Sequence, residues 1–187
     1  MIVLVLIGIL LMTDSPASAR SVLFTVDGGL SLQAGSDGFK ENWTDGWNAA
    51  TGIAVELGDN VSLIGRIEYH QFGIESASPY NWGDLQMFLV GFSSKFAFFD
   101  TVDPYRPYLV VGYGISDIWL SVDPEDRGEI NEYDGDDLRG YFQIGGGIEV
   151  PLTSELKLTF EGRYINIRGR FGGEATSFMP LTVGVQF

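Results

Sequence analysis

The chain has 187 residues, with 25 Asp and Glu against 11 Lys and Arg, a formal charge of −14, one His and no Cys. That count excludes a disulfide scaffold, a thiolate metal site and a cysteine nucleophile, and the acidity argues against a nucleic-acid partner, which needs a basic footprint. The 45% hydrophobic content nevertheless belongs to a folded chain of one domain or two small ones, and the 25 glycines are well above the usual share.

From the N-terminus, Ile2 to Met12 is an unbroken apolar run, followed by Ala17-Ser18-Ala19. The run is too short to cross a bilayer as a helix, which takes about 20 residues. A short apolar core before an A-x-A site reads as a secretory signal peptide over residues 1–19, although no Lys or Arg precedes it. Residues 20–187 then form the exported domain.

Beyond Ser21 the dominant period is two. Val61, Leu63, Ile67 and Tyr69 share one face, opposite Ser62, Arg66, Glu68 and His70, with Ile64 the apolar exception on the polar face. Leu156, Leu158, Phe160 and Tyr164 oppose Lys157, Thr159, Glu161 and Arg163 in the same way. Alternation of this kind is the strand signal. It predicts eight strands, at 21–33, 46–57, 61–73, 84–98, 107–117, 140–150, 155–166 and 177–187. Tight connections at 58–60, 100–106 and 151–154 alternate with long polar ones at 34–45, 74–83, 118–139 and 167–176. Short turns at one end and long loops at the other are expected of an eight-stranded antiparallel up-and-down transmembrane β-barrel.

In such a barrel the apolar face meets lipid and the polar face fills the lumen. Inward charges must pair, because a lone buried charge is costly. The lumen ion-pair candidates are Glu56, Arg66, Glu68, Lys95, Glu149, Lys157, Glu161 and Arg163, with His70 beside them. Inward glycines at 52, 112, 114, 145 and 147 would make room for these long side chains. The aromatics predict two girdles at the bilayer interfaces. Trp43, Trp47, Trp82, Trp119, Tyr69, Tyr80, Tyr141 and Tyr164 fall near the long loops; Phe96, Phe98, Phe99, Tyr105 and Tyr108 fall near a short turn.

Signal peptide, eight alternating strands and terminal Phe187 preceded by Val185, Val183, Leu181 and Met179 at every second position resemble the small outer-membrane barrels related to OmpA and OmpX. Arg106 to Gly114 and Leu158 to Tyr164 look like strand patterns of the same group. The resemblance implies a bacterial outer-membrane protein surrounded by bilayer and lipopolysaccharide, and expected to be monomeric. It makes Phe187, Val185, Val183, Leu181 and Met179 the signal read by the barrel-assembly machinery. A chain ending on its last strand would also lack the peptidoglycan-binding domain of full-length OmpA-like proteins.

The expected function is therefore a non-enzymatic envelope barrel, structural or presenting loops to a partner, with no cofactor and no assigned metal site. Two alternatives stay open. A lipid A-modifying enzyme would use His70 with Ser76, Ser78 or Ser94, though no spacing singles out a nucleophile. A narrow pore would need an open lumen. The stretch 117–139 concentrates Asp117, Asp123, Glu125, Asp126, Glu129, Glu132, Asp134, Asp136 and Asp137. As a solvated loop it could bind divalent cations weakly, which calorimetric titration with Ca²⁺ would test.

Overall fold

Where no water is at hand, every backbone N–H and C=O must be paired within the protein, and alternating strands achieve this only by closing on themselves. The computed structural model describes residues 21–35, 37–74, 83–98, 104–120, 138–153, 155–170 and 174–187. They form a closed barrel of eight strands in sequence order, with each neighbouring pair antiparallel. The strands are β1 (Val22–Gly35), β2 (Trp43–Gly58), β3 (Val61–Ile74), β4 (Leu85–Ala97), β5 (Arg106–Leu120), β6 (Arg139–Pro151), β7 (Lys157–Arg170) and β8 (Glu174–Gln186). A short helix, α1 (Asp37–Asn42), follows β1. The eight-stranded up-and-down barrel expected from alternation is thus the fold. The segment 1–19, Tyr80, Trp82, Phe99 and most of the acidic stretch 117–139 lie outside the described residues.

Closure joins the first strand to the last. Their register runs from Thr25–Gln186 to Gly35–Thr176, and Phe24 and Phe187 exchange backbone hydrogen bonds of 2.7 and 3.0 Å. Those two residues lie at the end that carries the Asp59-Asn60 turn, the turn side. The other rim extends further than alternation indicates. β2 begins at Trp43, β5 runs to Leu120, β7 runs to Arg170 and β8 starts at Glu174, so most of the stretch read as a loop at 167–176 is strand. Likewise α1 occupies part of the 34–45 connection. Ladder hydrogen bonds need no apolar side chain, so pairing continues past the point where alternation fades. In β2 a register shift between Trp43 and Gly46 breaks the two-residue period outright.

The faces follow from what surrounds them. Phe24, Val26 and Leu30 of β1 and Met179, Leu181 and Val183 of β8 are exposed on the outer wall. On β3 the predicted sides are the observed ones, with Ser62, Ile64, Arg66, Glu68, His70 and Phe72 all buried inward. Two expectations are corrected. The lumen is not polar throughout: near the loop-side rim Trp43, Phe72, Leu85, Met87, Leu89, Ile118, Ile165, Ile167 and Phe178 form one apolar cluster. Phe39 of α1 stoppers it, its ring 5.3 Å from Phe72. Second, Trp43, Tyr108 and Tyr141 are buried inward and belong to no girdle. An aromatic ring suits a lipid face and a packed lumen alike, so residue type alone does not choose the side. The outward rings that remain are Trp47, Tyr69, Trp119 and Tyr164 towards the loops, with Phe96, Phe98 and Tyr105 towards the turns.

Candidate functional site

The chemistry of the chain collects in the lumen, in layers set by the strand register. Arg163, on β7, is fully buried at mid-height. Its guanidinium forks onto Glu68 of β3, with Nη1–Oε1 at 2.7 Å and Nη2–Oε2 at 2.6 Å. Nη1 also donates to Gln143 Oε1 at 2.6 Å, and Nε lies 2.9 Å from Glu161 Oε1. Such a bidentate pair matches the planar geometry of both groups. Gly145 is the register partner of Arg163 on β6. A Cβ there would stand 2.7 Å from Arg163 Cγ and 2.3 Å from the carbonyl oxygen of Gly162, so the guanidinium stem can cross only above a glycine.

Glu161 ties this layer to the next. It accepts from Arg66 Nη1 at 2.7 Å and from the Tyr108 hydroxyl at 2.9 Å, while Arg66 Nε stands 3.9 Å from Asp27 Oδ2. Nearer the turns, Lys95 Nζ donates to Glu149 Oε1 at 2.5 Å, and Arg106 reaches Glu149 Oε2 at 3.4 Å and the Asp59 carbonyl at 2.5 Å. Lys157 and Glu56, paired at 2.9 Å, are the most solvent-accessible of these ions. Among the described lumen residues, Asp27, Glu56, Glu68, Glu149 and Glu161 thus face Arg66, Lys95, Arg106, Lys157 and Arg163, and the two sets balance in charge. Balance matters because a buried pair broken on one side leaves an uncompensated ion.

The structure therefore brings Glu56 to Lys157, Arg66 to Glu161, Glu68 to Arg163 and Lys95 to Glu149. It adds Asp27, Arg106, Tyr108 and Gln143, which sequence reasoning leaves out. Asp27 does follow the alternation of Thr25 and Asp27 against Phe24 and Val26, whereas Arg106 falls in what reads as a turn. The terminal residues Met179, Leu181, Val183 and Phe187 are exposed on the outer wall, with Val185 partly so.

Above Arg163, Ser31 Oγ lies 2.8 Å from His70 Nδ1, and His70 Nε2 lies 3.5 Å from Glu68 Oε2. Hydroxyl, imidazole and carboxylate in that order form the set used for nucleophilic catalysis. Here all three are at most 1% exposed, the imidazole packs edge-on against Phe178 at 4.8 Å, and the carboxylate is held by Arg163. Asn48 donates to the same hydroxyl at 3.1 Å. Ser76 and Ser78 lie outside the described residues, and Ser94 sits opposite Leu63 and Val111, seven residues along β4 from the partner of His70, Met87. Ser31 escapes sequence reasoning because 39 residues separate it from His70. Among the described residues no group of three or more His, Asp or Glu is placed to hold a metal ion.

Comparison with known proteins follows the same lines. Neisserial surface protein A is similar over 90% of this chain and 98% of its own, at 17% identity and a TM-score of 0.63. The N-terminal β-barrel domain of Pseudomonas aeruginosa OprF is similar over 90% of this chain and 98% of its own, at 15% identity and a TM-score of 0.50. Identities this low speak for the fold alone. No curated protein sequence matches the chain. The family model for the outer membrane protein beta-barrel domain, however, matches residues 2–187. With its closed ring of strands, apolar outer wall and ion-paired lumen, the chain belongs to the outer membrane protein β-barrel family.

Proposed function

We propose that this outer-membrane barrel is a non-conducting, non-enzymatic envelope protein, structural or presenting its surface loops to a partner. The filled lumen carries the reading. The ion-paired layers and the apolar cluster under Phe39 occupy the axis, and the Ser31–His70–Glu68 set is at most 1% exposed. Lipid and lipopolysaccharide surround the wall, the segment 1–19 is removed on export, and the barrel works as a monomer. In planar bilayers the purified protein is expected to give no conductance steps, and lipid A mass spectra of a deletion strain are expected to match those of the parent. Steady conductance would instead support a narrow pore, and a changed acylation pattern a lipid A-modifying enzyme.

A further inference from the structure

The outer wall is not uniform around the barrel. On β2 to β5 one row near the loop-side rim runs, in register, Trp47, Gln71, Gln86 and Trp119. The amides are engaged: Trp119 Nε1 donates to Gln86 Oε1 at 2.7 Å, and Gln71 Nε2 donates to Asp84 Oδ2 at 2.6 Å. Tyr69 lies between the two indoles, its ring centroid 5.4 Å from Trp47 and 6.5 Å from Trp119. One step further in, Asp117 faces Phe88, between the buried Ser116 and Ile118. Amides and carboxylates are out of place on a face that meets hydrocarbon, so this patch stands at a polar boundary.

Directly membrane-side of this row the wall is grooved. A depression of about 550 Å³ runs over β1 to β4, edged by Phe24, Ile53, Leu63, Ile67 and Phe92. Gly65 forms part of its floor, where a Cβ would meet only the Phe92 ring, at 3.4 Å. Ile67 and Val90, which line the groove, are the next outward residues after Tyr69 and Phe88, so groove and aromatic row are continuous.

We propose that this face binds one outer-leaflet lipid whose headgroup is a sugar, with the headgroup on the Trp47–Tyr69–Trp119 platform and an acyl chain in the groove. Aromatic faces receive the C–H face of a sugar ring, and neighbouring amides and carboxylates exchange hydrogen bonds with its hydroxyls. Asp84 and Asp117 repel phosphate, which selects the sugar over a phosphate-bearing headgroup. The site rests on the membrane-embedded reading above.

The test is native mass spectrometry of the folded barrel in detergent, titrated with a glycosyl diacylglycerol or with phosphatidylglycerol of the same acyl chains. One glycolipid is expected to stay bound per barrel, with phosphatidylglycerol held at least about tenfold more weakly. Gly65→Leu, which fills the groove, and the pair Gln86→Leu with Trp119→Leu, which strips the platform, are each expected to weaken glycolipid retention about tenfold. Equal retention of both lipids, retention unchanged in the platform variant, or a protein dimer in place of bound lipid would each overturn the proposal. Heat-dependent mobility on gels keeps the two readings apart: a chain lacking it is no folded membrane barrel, whereas a heat-shifting barrel with unselective lipid adducts defeats this site alone.

Discussion

Arg163 answers to three groups at once, Glu68, Glu161 and Gln143, with no side-chain surface left for water. Removing the guanidinium would strand Glu68 in a dry interior and leave Glu161 to Arg66 and Tyr108, so Arg163→Ala is expected to cost about 3–5 kcal/mol. Arg163→Lys keeps the charge but loses the fork, and its cost should be smaller. Urea unfolding in micelles, read as a shift in midpoint, checks the order; an alanine variant as stable as the parent would show that water already serves these ions. At this scale the sequence is legible where lipid dictates the answer and opaque where the lumen does. Alternation places Arg66, Glu68, Glu161 and Arg163 inward because hydrocarbon tolerates none of them. It cannot place Tyr108, which either side accepts, nor pair residues such as Glu68 and Arg163, 95 positions apart.

Strands show the same division. β8 reads clearly because its outward Met179, Leu181 and Val183 alternate with small or polar residues. β4 lies where alternation puts it, at Leu85–Ala97, but its sides read poorly, since Leu85, Met87 and Leu89 point inward while Phe88, Val90 and Phe92 point outward. The apolar cluster beneath α1 is hidden for that reason: its residues look no different from lipid-facing ones. The proposed assembly role of the last strand can be separated from its structural role. Phe187 contributes a ring 6.2 Å from Phe24 and the backbone bonds with it. Deleting Phe187 is expected to lower the amount of barrel assembled in cells severalfold, while protein refolded from urea into micelles reaches a similar heat-shifted form. Equal yield in cells would remove the assembly role.

For the molecule as a whole, most of the ionic network lies where counterions do not reach. Salt weakens exposed pairs, whereas buried ones are screened little. The unfolding midpoint should therefore change little between about 0.05 and 1 M NaCl, the Lys157–Glu56 pair at the turn side being the main exception. A marked fall with salt would mean that electrolyte enters the lumen, against the filled-barrel reading. The ring closure has a consequence in time as well as in space. Strand β1 gains its second neighbour only when β8 arrives, and the pair Thr25–Gln186 spans nearly the whole described chain. Contacts that distant form late, because the entropy of joining the ends is lost before any pairing is gained. Until then every intermediate is an open sheet with two unpaired edges, each able to pair with a neighbouring chain. A chain stalled during export would therefore become a template for aggregation, so the order of delivery matters to this fold as much as its final contacts do.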